Sequence, residues 1–211
     1  MPDVKHFDTE QVLDQVVELF WRRGAAGAGI GDVVSATGLS RSSLYATFGG
    51  KRELYVAALR RYVEQRSRPV LEALAGDGRG VPAIAEFFDR LIQARCEGPH
   101  ARWGCMVSNA HAGTLLDTGP DGPGGGPGGD AQVRQVLEEH HARLRAAMAA
   151  TLQTARSRSQ LRPGLEVEAT ADVLALLAYG VNLRSRAGAS AADLRATMTA
   201  ALDSMCPPEP L

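Results

Sequence analysis

The chain has 211 residues, 45% of them apolar and 22% charged, with a net charge of −1. That balance describes a globular chain with its own core and excludes collagen-like, histone-like and polybasic compositions. A near-neutral total leaves local basic faces open, so partners must be argued from patches. The longest apolar run, Val173 to Val181, lies between Asp172 and Arg184 and is too short to span a bilayer, which predicts a buried helix and no membrane partner. The stretch Met1 to Asp8 lacks the basic and apolar regions of a secretory signal. Cys96, Cys105 and Cys206 are odd in number and lack C-x-x-C spacing, as suits free thiols in a reducing compartment, so the expected location is the cytoplasm.

Ala, Leu, Arg, Glu and Gln recur at three- and four-residue spacing with no strict alternation, so the predicted fold class is all-α. Leu13, Val16, Val17 and Phe20 mark a helix over Thr9 to Arg23, capped by Asp8 and ended by Gly24. Two short helices follow, Ile30 to Thr37 and Arg41 to Thr47, about a Gly38-Leu39-Ser40 turn. Gly50 then opens a longer helix with Leu54, Ala58, Leu59, Tyr62 and Val63 on its apolar face. Pro69 should kink or end it near Arg68, before a further turn or two over Val70 to Ala75.

Ile84, Phe87, Phe88, Leu91 and Ile92 predict a helix over Val81 to Cys96, and a shorter one runs from Gly104 to Leu116. The Gly- and Pro-dominated stretch Thr118 to Asp130 reads as a flexible loop. Beyond it come a long helix over Ala131 to Arg158, one over Val167 to Arg186, and a last one capped by Ser190 with Asp193 at N3, reaching about Met205.

One longer helix followed by two short ones about a tight turn outlines a helix-turn-helix unit, whose last helix enters a DNA major groove. No acidic residue occurs between Val33 and Arg52, where Arg41, Lys51 and Arg52 are basic; up to Arg68 the net charge is +2, against −3 for the rest. With Leu44 and Phe48 turned inward, Arg41, Ser42 and Tyr45 face outward. Arg can donate two hydrogen bonds to guanine, and Ser and Tyr hydroxyls can reach base edges or phosphates. Lys51, in the first turn of its helix, suits a phosphate. The same residues also fit a plain solvated helical hairpin.

The run Thr37-Gly38-Leu39-Ser40-Arg41-Ser42-Ser43-Leu44-Tyr45-Ala46-Thr47-Phe48-Gly49-Gly50-Lys51-Arg52-Glu53-Leu54-Tyr55, with Asp32-Val33-Val34 before it, resembles the DNA-binding region of the tetracycline-repressor (TetR) family. The resemblance covers about a quarter of the chain. It implies a helix-turn-helix domain over residues 1–50, followed over 51–211 by a helical-bundle domain for ligand binding and dimerisation. It also implies that Ser40 caps the recognition helix, that Arg41, Ser42, Ser43 and Tyr45 contact DNA, and that Lys51 holds a phosphate. Where the family has Thr, often with Ser, before its second helix, this chain has Ala28-Gly29, so a hydroxyl cap is missing.

Gly104-Cys105-Met106-Val107-Ser108-Asn109 resembles a Gly-Cys-φ-φ-x-Asn segment of one TetR subgroup. Cys105, in a first helical turn near Arg102, is a candidate redox or electrophile sensor, set against the reading as a small buried hydrophobe, the commoner fate of a free cysteine. Phe87, Phe88, Trp103, Cys105, Met106, Asn109, His141 and Met148 are candidate lining for a small-molecule effector pocket. Cys96, His100, Cys105, His111, His140 and His141 have no recurrent ligand spacing, so neither a metal nor a cofactor is expected. Leu174, Leu177, Ala178, Val181, Leu194, Met198 and Leu202, within residues 166–205, are expected to pack against a second copy as a four-helix interface. Two such copies would read half-sites about 34 to 36 Å apart on a palindromic double-stranded operator.

The function expected is therefore a sequence-specific transcriptional repressor, released by a small molecule or by thiol modification. The alternative is a cysteine-based redox enzyme or a small-molecule-binding helical protein without a DNA role. No Ser/His/Asp order, paired carboxylates or phosphate loop supports catalysis, so no catalytic residue is expected.

Overall fold

The computed structural model describes residues 7–113 and 129–207, and among them every regular element is helical. The elements are α1 (Thr9–Gly27), α2 (Ile30–Thr37), α3 (Arg41–Phe48), α4 (Lys51–Tyr62), a π-helical turn (Val63–Ser67), α5 (Arg68–Ala75), α6 (Val81–Cys96), α7 (Met106–Gly113), α8 (Gly129–Ser157), α9 (Val167–Arg186) and α10 (Ala191–Asp203). The loop expected over Thr118 to Asp130 lies outside the described residues as far as 128, and Gly129 and Asp130 open α8. The chain forms two compact units, Met1–Gln65 with Asn109–Leu137, and Arg66–Ser108 with Glu138–Leu211.

In the first unit, α1 starts where the Asp8 carboxylate accepts the N–H groups of Glu10 and Gln11, at 2.9 and 3.4 Å. Its apolar stripe of Val12, Val16, Val17, Phe20 and Trp21 is buried. The Phe20 ring meets Tyr55 edge-on at 5.2 Å and Trp21 meets Tyr62 at 5.0 Å, so two aromatic pairs fasten α1 to α4. Each adds about 0.5 to 1.5 kcal/mol beyond its buried area. Across the same contact, Arg61 bonds Asp14 through Nε at 2.6 Å and Nη2 at 2.9 Å, and also pairs with Glu10. This packing takes the compact unit past α3 to Gln65, whereas the domain boundary expected at residue 50 falls at the start of α4.

Two local expectations change. The first helix does not stop at Arg23: Gly24 takes a left-handed φ of 74° that kinks the chain, and helix resumes through Ala25 to Gly27, with Ala25 and Ala28 buried. Pro69 does divide the longer helix, but the accommodation precedes it. A π turn over Val63 to Ser67 widens the backbone before the residue that has no N–H to donate.

The second unit has an aliphatic core drawn from all its long helices: Leu71 and Leu74 of α5, Ile84, Phe88 and Ile92 of α6, Leu144, Met148 and Leu152 of α8, Leu174 and Val181 of α9, and Leu194, Met198 and Leu202 of α10. Ion pairs fasten its edges. Arg195 of α10 reaches Asp89 at 2.7 Å and Glu97 at 3.3 Å, and Arg145 of α8 reaches Glu168 at 2.9 Å and Asp172 at 2.7 Å. The buried Thr151 hydroxyl donates to the carbonyls of Leu74 at 3.0 Å and Ala147 at 2.9 Å as alternative acceptors.

The start of α6 is capped from far along the chain. Gln160 accepts the Val81 N–H at 2.9 Å and donates to the Arg79 carbonyl at 3.0 Å. Gly80 lies between these two residues with φ of 75°, and a Cβ there would stand 2.2 Å from Gln160 Oε1 and 2.8 Å from Ala155 Cα. Only glycine fits.

The face expected to meet a second copy is turned inward. Leu174, Ala178, Val181, Leu194, Met198 and Leu202 are buried in the unit's own core, and Leu177 packs against it. Helix α9 is apolar on two sides, and a 3.6-residue period does not say which side meets the core. The outer side carries Val173, Leu176, Gly180 and Leu183 at i, i+3, i+7 and i+10, with Leu176 64% exposed.

Candidate nucleic-acid interface

The segment from α2 to the start of α4 holds its polar groups outward on a small, firmly terminated frame. Helix α2 ends at Gly38 in the left-handed conformation, with its N–H on the Val34 carbonyl. Ser40 then caps α3, its Oγ accepting the Ser43 N–H at 3.1 Å. Leu44 is buried and Phe48 half-buried, which turns Arg41, Ser42 and Tyr45 to solvent as their spacing predicts. The Ser42 and Ser43 hydroxyls each lie 2.9 Å from Ser40 Oγ, so the three serines form a hydroxyl cluster at the head of α3.

Arg41, one turn before Tyr45, places its guanidinium carbon 5.8 Å from the centre of that exposed ring. Lys51 and Arg52 occupy the first turn of α4, where the helix dipole already favours an anion. Among the described residues, none of Arg41, Lys51 and Arg52 is ion-paired with a carboxylate. The surface therefore presents cationic donors outside ion pairs, with Lys51 also within electrostatic reach of Asp32.

The cap missing at Ala28-Gly29 is replaced in part. The Asp32 carboxylate accepts the Gly29 N–H at 2.8 Å and the Arg23 guanidinium at 2.7 Å, tying the end of α1 to the start of α2. The Gly29 N–H, followed by Arg23 and Lys51, holds the Asp32 carboxyl below the usual aspartate value. Sequence reasoning missed this bond, although an acid at N3 after Gly29 is half of a capping box and could have flagged it.

Of the residues expected to line an effector pocket, Phe88 and Met148 belong to the core of the second unit; Cys105 and Met106 are buried but are not members of that cluster, and Trp103 and His141 are half-buried. Asn109 belongs to the other unit. His141 stacks on Tyr179, 5.9 Å between ring centres and 24° between planes, and Trp103 meets His100 edge-on at 4.8 Å. Tyr179 lies within electrostatic reach of Cys105 and Glu138, which add to the burial that keeps its phenol protonated. Nearby in sequence, the buried Asn182 accepts Arg95 Nε at 2.7 Å. Tyr179 and Asn182 sit inside the apolar run of α9, where periodicity reads only core.

Cys105 lies just before α7, with Arg102 in a left-handed conformation three residues earlier. Burial pushes the thiols of Cys96 and Cys206 up, away from thiolate. Among the described residues, no three His, Cys, Asp or Glu side chains gather as metal ligands, and no helix is long and apolar enough to cross a membrane.

Residues 12–58 match the family model of the bacterial regulatory proteins of the tetR family. An uncharacterized HTH-type transcriptional regulator, YezE of Bacillus subtilis, is 34% identical over 50% of this chain, which spans about half (54%) of that relative's length. The HTH-type transcriptional repressor ComR of Escherichia coli is 29% identical over 88% of this chain and 83% of its own. In fold, the chain is similar to a cysteine-substituted form of the TetR-family regulator CifR solved with 26-bp double-stranded operator DNA. Its TM-score is 0.77 at 22% identity, covering 96% of this chain and 99% of that one. The DNA-binding domain of the tetR family is thus matched over α1 to α4, and the fold of a TetR-family regulator is shared along nearly the whole length of the chain.

Proposed function

We propose that the protein is a transcriptional repressor that binds a palindromic operator as a homodimer and leaves it when its second unit is modified or occupied. The observation that carries this reading is the set of Arg41 and Tyr45, exposed, with Lys51 and Arg52, half-buried, none of them ion-paired with a carboxylate among the described residues, on a frame capped by Ser40 and Gly38. Arg41 reads a base edge, Tyr45 and Lys51 hold phosphates, and the serines of α3 exchange their mutual hydrogen bonds for DNA. The operator complex of the structurally similar CifR supports DNA as the partner.

Dimerisation is assigned to the outer stripe of α9, Val173, Leu176, Gly180 and Leu183, because the inner stripe already serves the subunit core. The effector acts in the second unit, where Tyr179, packed against the apolar core, stacks on His141 and lies within electrostatic reach of Cys105. Cys105 is the thiol assigned to an electrophile or oxidant, in keeping with a subgroup carrying Gly104-Cys105 and Asn109 in this arrangement. A ligand releases DNA only so far as it favours the unbound state. Steady-state turnover of a thiol or peroxide substrate would favour the enzymatic alternative instead.

The test is selection of bound fragments from genomic DNA, followed by fluorescence anisotropy on the enriched site across a salt series. An enriched palindrome is expected, with binding that falls steeply with salt and a slope about one unit shallower for Lys51→Ala. A folded dimer that enriches no site overturns the reading.

A further inference from the structure

Among the described residues Arg41 is ion-paired with no carboxylate, and its guanidinium stands by the ring of Tyr45. The Arg41 guanidinium carbon lies 5.8 Å from the Tyr45 ring centre, at i and i+4 on α3, and both side chains are exposed, Tyr45 at 40%. No carboxylate occurs from Val33 to Arg52 to draw Arg41 elsewhere. Arginine has one of the most flexible side chains, and holding it in one geometry before binding removes part of the entropic cost of a two-pronged contact. A ring face attracts the cation without consuming any of its five N–H donors, whereas a carboxylate would occupy the fork itself.

We infer that Tyr45 is a specificity-determining positioning residue: its ring pre-sets the Arg41 guanidinium for bidentate reading of one guanine in each half-site, while its hydroxyl makes a separate, sequence-blind phosphate contact. The inference rests on the DNA-binding reading. It divides one side chain into two functions, with Tyr45→Phe removing only the hydroxyl and Tyr45→Leu removing the ring as well.

The experiment has an arm without DNA and an arm with it. In the free protein, the Arg41 δ protons are expected to show an upfield ring-current shift in the wild type and in Tyr45→Phe, and to lose it in Tyr45→Leu. In operator selection, Tyr45→Phe weakens binding evenly across sequences. Tyr45→Leu relaxes discrimination about two- to fivefold at a single position per half-site, the one also relaxed by Arg41→Ala. Thermal unfolding checks the fold of each variant, and Tyr45→Gln repeats the test if Tyr45→Leu does not fold.

No ring-current shift in the free wild type overturns the inference, as does full discrimination in Tyr45→Leu or equal relaxation in Tyr45→Phe. A wild type that enriches no site instead overturns the DNA-binding reading, and the base-reading function falls with it, while the free-protein arm still decides whether the ring holds the guanidinium.

Discussion

The two units use polar residues in opposite ways. In the first, α3 and the start of α4 hold Arg41, Ser42, Tyr45 and Lys51 at or near the surface on a frame closed by the Phe20–Tyr55 and Trp21–Tyr62 pairs. In the second, polar groups such as Thr151, Asn182 and His140 are drawn inside an aliphatic core. A displayed set can be read from one short stretch of chain, because its neighbours in sequence are its neighbours in space. An enclosed set is assembled from helices far apart in the chain, as the Thr151–Leu74 bond across 77 positions and the Arg95–Asn182 bond across 87 illustrate.

The most severe way to break this contrast is to remove the frame beneath the displayed groups. Trp21→Ala should cost about 3 to 5 kcal/mol, since the ring is fully buried against Tyr62, and equilibrium denaturation should show an earlier transition for the first unit. DNA binding should fail at temperatures where the second unit stays folded.

Next in size is a charge on the outer stripe of α9. Leu176→Arg should weaken self-association by about 2 kcal/mol or more, read by sedimentation equilibrium, and leave the inner core of Leu174 and Val181 in place. An unchanged dimer would move the interface away from this face.

The enclosed groups can be sharpened one at a time. Thr151→Val keeps the shape but removes the hydroxyl that donates to the Leu74 or Ala147 carbonyl, at a cost of about 1 kcal/mol in thermal unfolding. An effect confined to the second unit is expected.

The smallest effect belongs to Asp32. Its carboxyl is depressed in the folded state, so its contribution is complete above the ordinary aspartate value of 3.8 and is lost as pH falls through the lower folded value. Asp32→Asn should lower the stability of the first unit slightly and evenly above pH 5 and flatten its acid limb, in a comparison of melting temperatures against pH.

Legibility followed the same division. The bounds of α2 and α9 and the caps at Asp8, Ser40 and Ser190 are readable because each rests on residues within four positions. Gly24 looked like a stop and proved a kink, since Ala25 and Ala28 find burial that periodicity over so short a stretch does not register. Which side of α9 faces the core is not legible in the sequence, because Leu174 and Leu176 are chemically alike and differ only in what other helices bring against them. The α3 surface needed no such partner to be read. Tyr179 and Asn182 were hidden by their apolar sequence neighbours.

The Gln160 contact has a consequence for the order in which the protein can be made. Its amide serves the start of α6 from 79 positions downstream, in a gap that only Gly80 leaves open. During synthesis α6 therefore leaves the ribosome with its first turn unfinished and remains so until all of α8 has followed. The second unit must wait for its chain, closing late and as a whole, while α1 and α4 can make their aromatic pairs and the Arg61–Asp14 bond with one another within the first 65 residues.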